Sequence, residues 1–154
     1  MKLESGAFGE GQPIPKEYSR DGADASPPLS WSGVPSGARS LALICDDPDA
    51  PRGTWVHWVL YDLPPATTSL PAGVRKADRP STGGVQGRND YGETGWGGPA
   101  PPKGHGVHHY QFRLYALDRE LGLTPGATKA DVESAMKGHV LAKAQLVGTY
   151  QKRR

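Results

Sequence analysis

A chain of 154 residues, 36% hydrophobic and 22% charged, has the balance of a folded globular protein with a sizeable core, which excludes a disordered or fibrous chain. A formal net charge of +2 is too small to mark a nucleic-acid binder, and the basic end, Lys152-Arg153-Arg154, reads as a solvated tail. One cysteine excludes an internal disulfide framework, and no apolar leader or membrane-spanning stretch occurs, so a soluble protein of a reducing compartment, the cytoplasm, is expected.

No internal repeat or linker interrupts the sequence, so residues 1–154 are expected to form one domain. Gly 21 and Pro 15 point to many turns rather than long helices. Residues 10–40 read as irregular, punctuated by Pro13, Pro15, Pro27, Pro28 and Pro35, with Ser30-Trp31-Ser32 as a short extended piece. Residues 41–45 and 56–62 read as strands. Between them lies an acidic corner, Asp46, Asp47 and Asp49, stiffened by Pro48 and Pro51. Strict alternation in the second strand would put Trp55, His57, Val59 and Tyr61 on one face and Val56, Trp58 and Leu60 on the other. Apolar groups on both faces predict a central strand covered twice.

Residues 63–80 form a Pro-rich connection. The glycine-rich stretch 83–106 is long for an unstructured loop, which marks it as functional. In 107–117, His108, Tyr110, Phe112, Leu114 and Ala116 share one face of a strand. Thr128 is placed to cap a helix over 129–138, with Asp131 completing a capping box and Gly138 ending the helix. The closing segment, VLAKAQLVGTYQ, suits a strand or a continuing helix equally. The predicted fold is mostly β, a sandwich with one or two peripheral helices.

Two places concentrate polar groups that are costly to bury: the acidic corner with His57, and the stretch GGPAPPKGHGVHHY. Each adjoining strand sets an aromatic two positions from a histidine, Trp55 with His57 and Tyr110 with His108. If the strands converge, the aromatics wall a pocket floored by two imidazoles. A carboxylate from the corner would fix one imidazole's tautomer and favour its charged form, which suits an anion such as phosphate. Singly, these residues have plainer roles. Asp before Pro favours turns, an isolated histidine or tryptophan in an apolar strand ordinarily serves packing, His105 and His109 read as exposed, and Cys45 reads as an inert small hydrophobe. The combination carries the functional reading. A metal-dependent hydrolase built on His57, His108, Asp47 and His105 ranks well below it, since no HExxH spacing occurs, and no Gly-x-Ser-x-Gly elbow supports serine chemistry.

Asp47-Pro48-Asp49-Ala50-Pro51, Trp55-x-His57, Gly98-Pro99-Ala100-Pro101-Pro102-Lys103-Gly104 and His108-x-Tyr110, in this order, resemble the phosphatidylethanolamine-binding protein family, in its short prokaryotic, Raf-kinase-inhibitor-like branch. The likeness continues through Ile14-Pro15, Tyr18, Asp21-Gly22 and the stretches 26–31, 33–44, 89–92, 115–118 and 138–150, and so covers essentially the full chain. It implies two antiparallel β-sheets with peripheral helices and a small preformed pocket for anions, including phosphate-bearing head groups. It implies a binding protein without catalytic residues, metal ligands or a cofactor. Carried over by motif, the ligand-binding set would be Asp47, Asp49, Trp55, His57, Gly98, Pro102, His108 and Tyr110.

The family includes kinase and protease inhibitors, so a protein partner of either kind and a homodimer are expectations from the likeness alone. An interaction or inhibitor module with a vestigial pocket is the alternative reading. Two positions depart from the branch: Ala100 replaces the Cys of Gly-Pro-Cys-Pro-Pro, and His109 replaces the Arg of His-Arg-Tyr. The second departure is expected to remove a salt bridge bracing the loop from the strand's opposite face. The acidic corner is expected to orient His57 rather than touch the ligand, with its prolines holding the pocket rigid.

Overall fold

In chain order the elements are β1 (Lys2–Glu4), β2 (Leu29–Ser32), β3 (Ser40–Asp47), β4 (Trp55–Leu63), β5 (Ser69–Leu70), β6 (Val85–Gln86), β7 (His108–Leu117), the helix α1 (Lys129–Met136) and β8 (Val140–Tyr150), with one 3-10 turn at Lys16–Tyr18. They come from a computed structural model that describes residues 1–152, so Arg153 and Arg154 of the basic tail lie outside the described residues. No helix among the described residues is long and apolar enough to cross a membrane. Five strands form one antiparallel sheet in the order β6-β4-β3-β7-β8, and three form a second, β1-β2-β5.

The centre of the large sheet follows from its sequence. β3 is buried at all eight positions, so it shows no alternation and is covered on both sides. On one side Leu41, Leu43, Trp58, Leu60 and Phe112 pack against Leu3, Leu29, Trp31 and Leu70 of the small sheet. On the other, Ala42, Ile44, Val59 and Tyr61 meet Leu121, Val132 and Met136 on α1 and the segment leading to it. The result is the expected mostly-β sandwich, with one helix laid on its outer face.

β4 breaks the expected alternation. Cys45 pairs with Trp58 but Asp46 pairs with Val56, which leaves His57 as an extra residue in a β-bulge. His57 and Trp58 therefore both reach the side of Trp96, while Val56, Val59 and Tyr61 share the opposite core. The assignment of His57 to the Val59 face is corrected accordingly. A second irregularity follows at Asp62, whose backbone has φ 54° and whose carboxylate accepts from the N–H groups of Leu121 and Gly122 at 2.7 and 2.9 Å. That clamp ties the end of β4 to the segment preceding α1.

α1 begins on the expected capping box, in which Thr128 and Asp131 each accept from the other's backbone N–H. It ends at Met136, two residues short of the expected limit, and Gly138 takes a left-handed turn at φ 82°. The closing segment is a strand, because β8 pairs along the whole length of β7. Its outer edge is partly covered by residues 11–14, through Gly11 N–H to Val147 O and Ile14 N–H to Thr149 O.

Candidate functional site

The sheet order β4-β3-β7 sets the end of β3 between the starts of its neighbours. Asp47 stands opposite Trp55, and the first residues of β7 lie on the other side. A cavity of about 190 Å³ opens there. Asp47, His57, His108 and Tyr110 form its floor, Trp55 and Tyr91 its wall, and Ala50, Pro51 and residues 100–102 its rim.

The three carboxylates of the acidic corner go three ways. Asp46, 1% exposed, faces away from the cavity and is satisfied by Lys129 Nζ at 2.6 Å and by Arg113, as a buried charge requires. Asp47 lies beneath the cavity, and its Oδ2 accepts from His108 Nδ1 at 2.6 Å. Asp49 is on the outside, accepting from both the N–H and Nδ1 of His109 at 2.8 Å. Burial raises the Asp49 carboxyl, but these bonds outweigh it and hold the group below the usual carboxylate range. His109 thus supplies a brace at the position where loss of an arginine was expected to remove one.

A carboxylate can only accept, so the Asp47 bond puts a proton on His108 Nδ1. Nε2 of His108 points outward, 2.6 Å from His105 Nδ1. His57 is anchored differently. Its Nδ1 donates to Gly97 O at 2.6 Å, and Gly97 N–H returns a bond to His57 O at 3.0 Å. Burial lowers the His57 pKa, outweighing the Gly97 carbonyl and the charges of Asp47, Asp46 and Asp90, all of which favour protonation. The expectation that the acidic corner orients His57 is therefore corrected: Asp47 orients His108, and a backbone carbonyl of the glycine-rich stretch orients His57.

The aromatic residues fix these rings by contact. Tyr110 meets His57 edge-on at 5.1 Å and lies nearly parallel to His108 at 6.5 Å. Burial pushes the Tyr110 phenol well up, so it stays an O–H donor. The Tyr91 phenol, pushed up to about 12 by burial, donates to Gly98 O at 2.9 Å, and its ring packs edge-on against Trp55 at 5.4 Å. The Arg20 guanidinium covers the Tyr91 ring at 3.7 Å and is itself paired with Glu93.

Of the residues singled out in the sequence, Asp47, Trp55, His57, Pro102, His108 and Tyr110 line the cavity. Asp49 and Gly98 do not. Gly98 is a packing residue: a Cβ there would stand 2.3 Å from Tyr18 O, and its N–H donates to Asp24 Oδ1 at 2.7 Å. Tyr91 was not singled out as a site residue, and His105 entered only through the hydrolase alternative. Tyr91 carried a signal, since Asn89 in the stretch Asn89-Asp90-Tyr91-Gly92 forms the turn that presents it, accepting from the N–H groups of Tyr91 and Glu93. His105 is exposed as expected, yet it is bonded to the floor.

The family profile for phosphatidylethanolamine-binding protein matches residues 4–151. A protein of Methanothermobacter thermautotrophicus named UPF0098 is 55% identical over 152 residues, 99% of each chain. A Mycobacterium tuberculosis relative bearing the lipoprotein name LppC is 42% identical over 98% of this chain and 72% of its own. Among solved structures, the Chlamydia trachomatis phosphatidylethanolamine-binding protein homologue CT736 superposes with a TM-score of 0.90 at 45% identity, covering 98% of this chain and 97% of its own. Escherichia coli YbcL, described as a member of the mammalian family, superposes at 0.91 with 34% identity, covering 98% of each. Full-length agreement in sequence and in fold establishes that this chain belongs to the phosphatidylethanolamine-binding protein family.

Proposed function

We propose that the protein is a non-enzymatic binding module whose preformed cavity takes a small phosphate-bearing ligand or head group. What supports this reading is one convergence: Asp47-backed His108, His57 and the Tyr110 hydroxyl meet at the floor of a cavity with aromatic and proline walls. At about 190 Å³ the cavity is smaller than the roughly 300–1,000 Å³ of clefts that enclose drug-sized ligands, which favours a head group over a whole molecule. Among the described residues no three His, Cys, Asp or Glu side chains are grouped to hold a metal ion, and Asp47 is committed to His108.

The test is calorimetric titration with inorganic phosphate on wild type and His108→Ala. Losing a charge-assisted hydrogen bond should weaken binding by roughly 1.5–3 kcal/mol while the fold, followed by circular dichroism, survives. Unchanged phosphate binding in the variant would place the anion elsewhere.

A second reading, an interaction module, is favoured by the cavity mouth. Trp55 is 37% exposed there and separates the cavity from a neighbouring hollow lined by Arg52, Thr54 and Asp90. It becomes the better account if phosphate produces no heat of binding. A kinase or protease partner, a homodimer and a cytoplasmic location complete the proposal and rest on family likeness and composition. Native mass spectrometry and fractionation of the source cells test them.

A further inference from the structure

We infer that the cavity selects an oxyacid that still carries a proton, such as the monoanion of a phosphate monoester, over an anion of the same shape and charge that has none. This rests on the phosphate-type pocket proposed above and specifies its ligand.

The tautomer of His57 requires a ligand proton. Gly97 O can only accept, so the 2.6 Å bond assigns the ring proton to Nδ1 and leaves a lone pair on Nε2. Nε2 finds no protein donor among the described residues. The one buried side-chain nitrogen or oxygen there without a hydrogen bond is Arg20 Nε, so His57 Nε2 opens to the cavity that the residue lines. Converting it to a donor would require charging the ring, which burial opposes. The groups facing it are Asp47 from β3, His108 and Tyr110 from β7, and Tyr91 from the glycine-rich stretch, with Asp46 and Asp90 farther off. A ligand oxygen without hydrogen would meet this lone pair unbonded, and an unmade hydrogen bond in a buried site is costly.

The charge of the site favours a monoanion. The lining contains no Lys or Arg and one carboxylate, Asp47. With His108 protonated, the Asp47–His108 pair sums to zero. With His108 neutral, the floor is negative. No neighbour corrects this: Arg20 lies behind Tyr91 and is paired with Glu93, Arg113 and Lys129 are paired with Asp46, and Arg52 and Lys103 are exposed outside the lining. A site without net positive charge repays the desolvation of a dianion poorly and that of a monoanion better.

Donors and acceptors match as well. Tyr110 offers a hydroxyl proton, and a protonated His108 offers Nε2–H once His105 gives way. Gly104 and Gly106 on either side of His105 adopt φ 76° and 92° with open space around them, a backbone that lets His105 move aside. Two donors and one acceptor complement a phosphoryl group with two bare oxygens and one P–OH.

Methyl phosphate and methyl sulfate, titrated calorimetrically at one pH of about 5, test this. That pH is below the second phosphate ionisation near 6, so both probes are monoanions of nearly equal shape and differ by the acidic proton. A single pH keeps every histidine in the same state for both. Methyl phosphate should bind at least about tenfold more tightly. Equal binding by methyl sulfate would overturn the proton requirement and leave the anion pocket standing. Binding by neither would overturn the pocket itself and this inference with it. Independently of any ligand, nitrogen NMR of the His57 ring should show Nδ1 protonated and Nε2 bare, and the opposite tautomer or a charged ring would contradict the inference.

Discussion

His57 and His108 lie on β4 and β7, the two strands that flank β3, and are held by different partners. Asp47 accepts a hydrogen bond from His108 Nδ1, whereas His57 is buried against a carbonyl and resists protonation. That resistance has a consequence for stability. In the unfolded chain His57 takes up a proton below its ordinary value of 6.5, but in the folded protein it does so only at lower pH. The unfolded state then binds more protons, so stability falls as pH drops through and below 6.5 and is unaffected by this group above it. In His57→Gln the neutral amide cannot titrate. Urea unfolding of both proteins at about pH 8 and pH 5 should show the wild type losing more stability than the variant. Equal losses would mean that His57 is not the titrating group. The residue types of this site were legible in the sequence, but their partners were not, because Asp47 reaches His108 only through the strand order β4-β3-β7.

At the scale of elements, the glycine-rich stretch is a wall of the site because it is pinned at several points. Asn89 closes its turn with Nδ2 to Gly95 O at 2.9 Å, Gly97 clamps the bulge in β4, and Gly98 lies against the turn at Lys16–Tyr18. Gly98→Ala would force a Cβ onto Tyr18 O, so it should destabilise the fold by about 1–3 kcal/mol. It should also weaken phosphate binding, because Gly98 O holds the Tyr91 hydroxyl. A urea midpoint unchanged from wild type would show that the close approach is relaxed at no cost. His105→Ala acts in the other direction. It frees His108 Nε2 from its 2.6 Å partner, and phosphate affinity by calorimetry should rise. A fall would mean that His105 itself holds the ligand. The strand 107–117 was readable from its alternation, since one face is buried throughout and the other is not. β4 was misread because a bulge is set by its neighbour's register, which a single strand's pattern does not record. β8 was undecidable because Val140 and Leu141, apolar residues, lie exposed at its start and blur the alternation that its pairing with β7 imposes.

For the molecule as a whole, one sheet with both faces covered gives a rigid support for a site at its strand ends. The core facing the small sheet carries Phe112 and Trp96 up to the cavity floor, and α1 is tied to β3, the strand that bears Asp47, through Lys129 and Asp46. The architecture was legible because doubly apolar strands and frequent turns leave few alternatives to a sandwich. The short strands β1, β5 and β6 were not, since two or three residues are too few to show a period. In the proposed function the cavity binds phosphate through His57 and His108. Imidazole NMR during titration with inorganic phosphate at about pH 6, within the histidine range, is the decisive experiment. His139 serves as the internal control, since it is bonded to Asp118 on a different part of the surface. The His57 and His108 signals should shift together and saturate at one affinity while His139 stays still. Binding heat with both pocket histidines unmoved would contradict it.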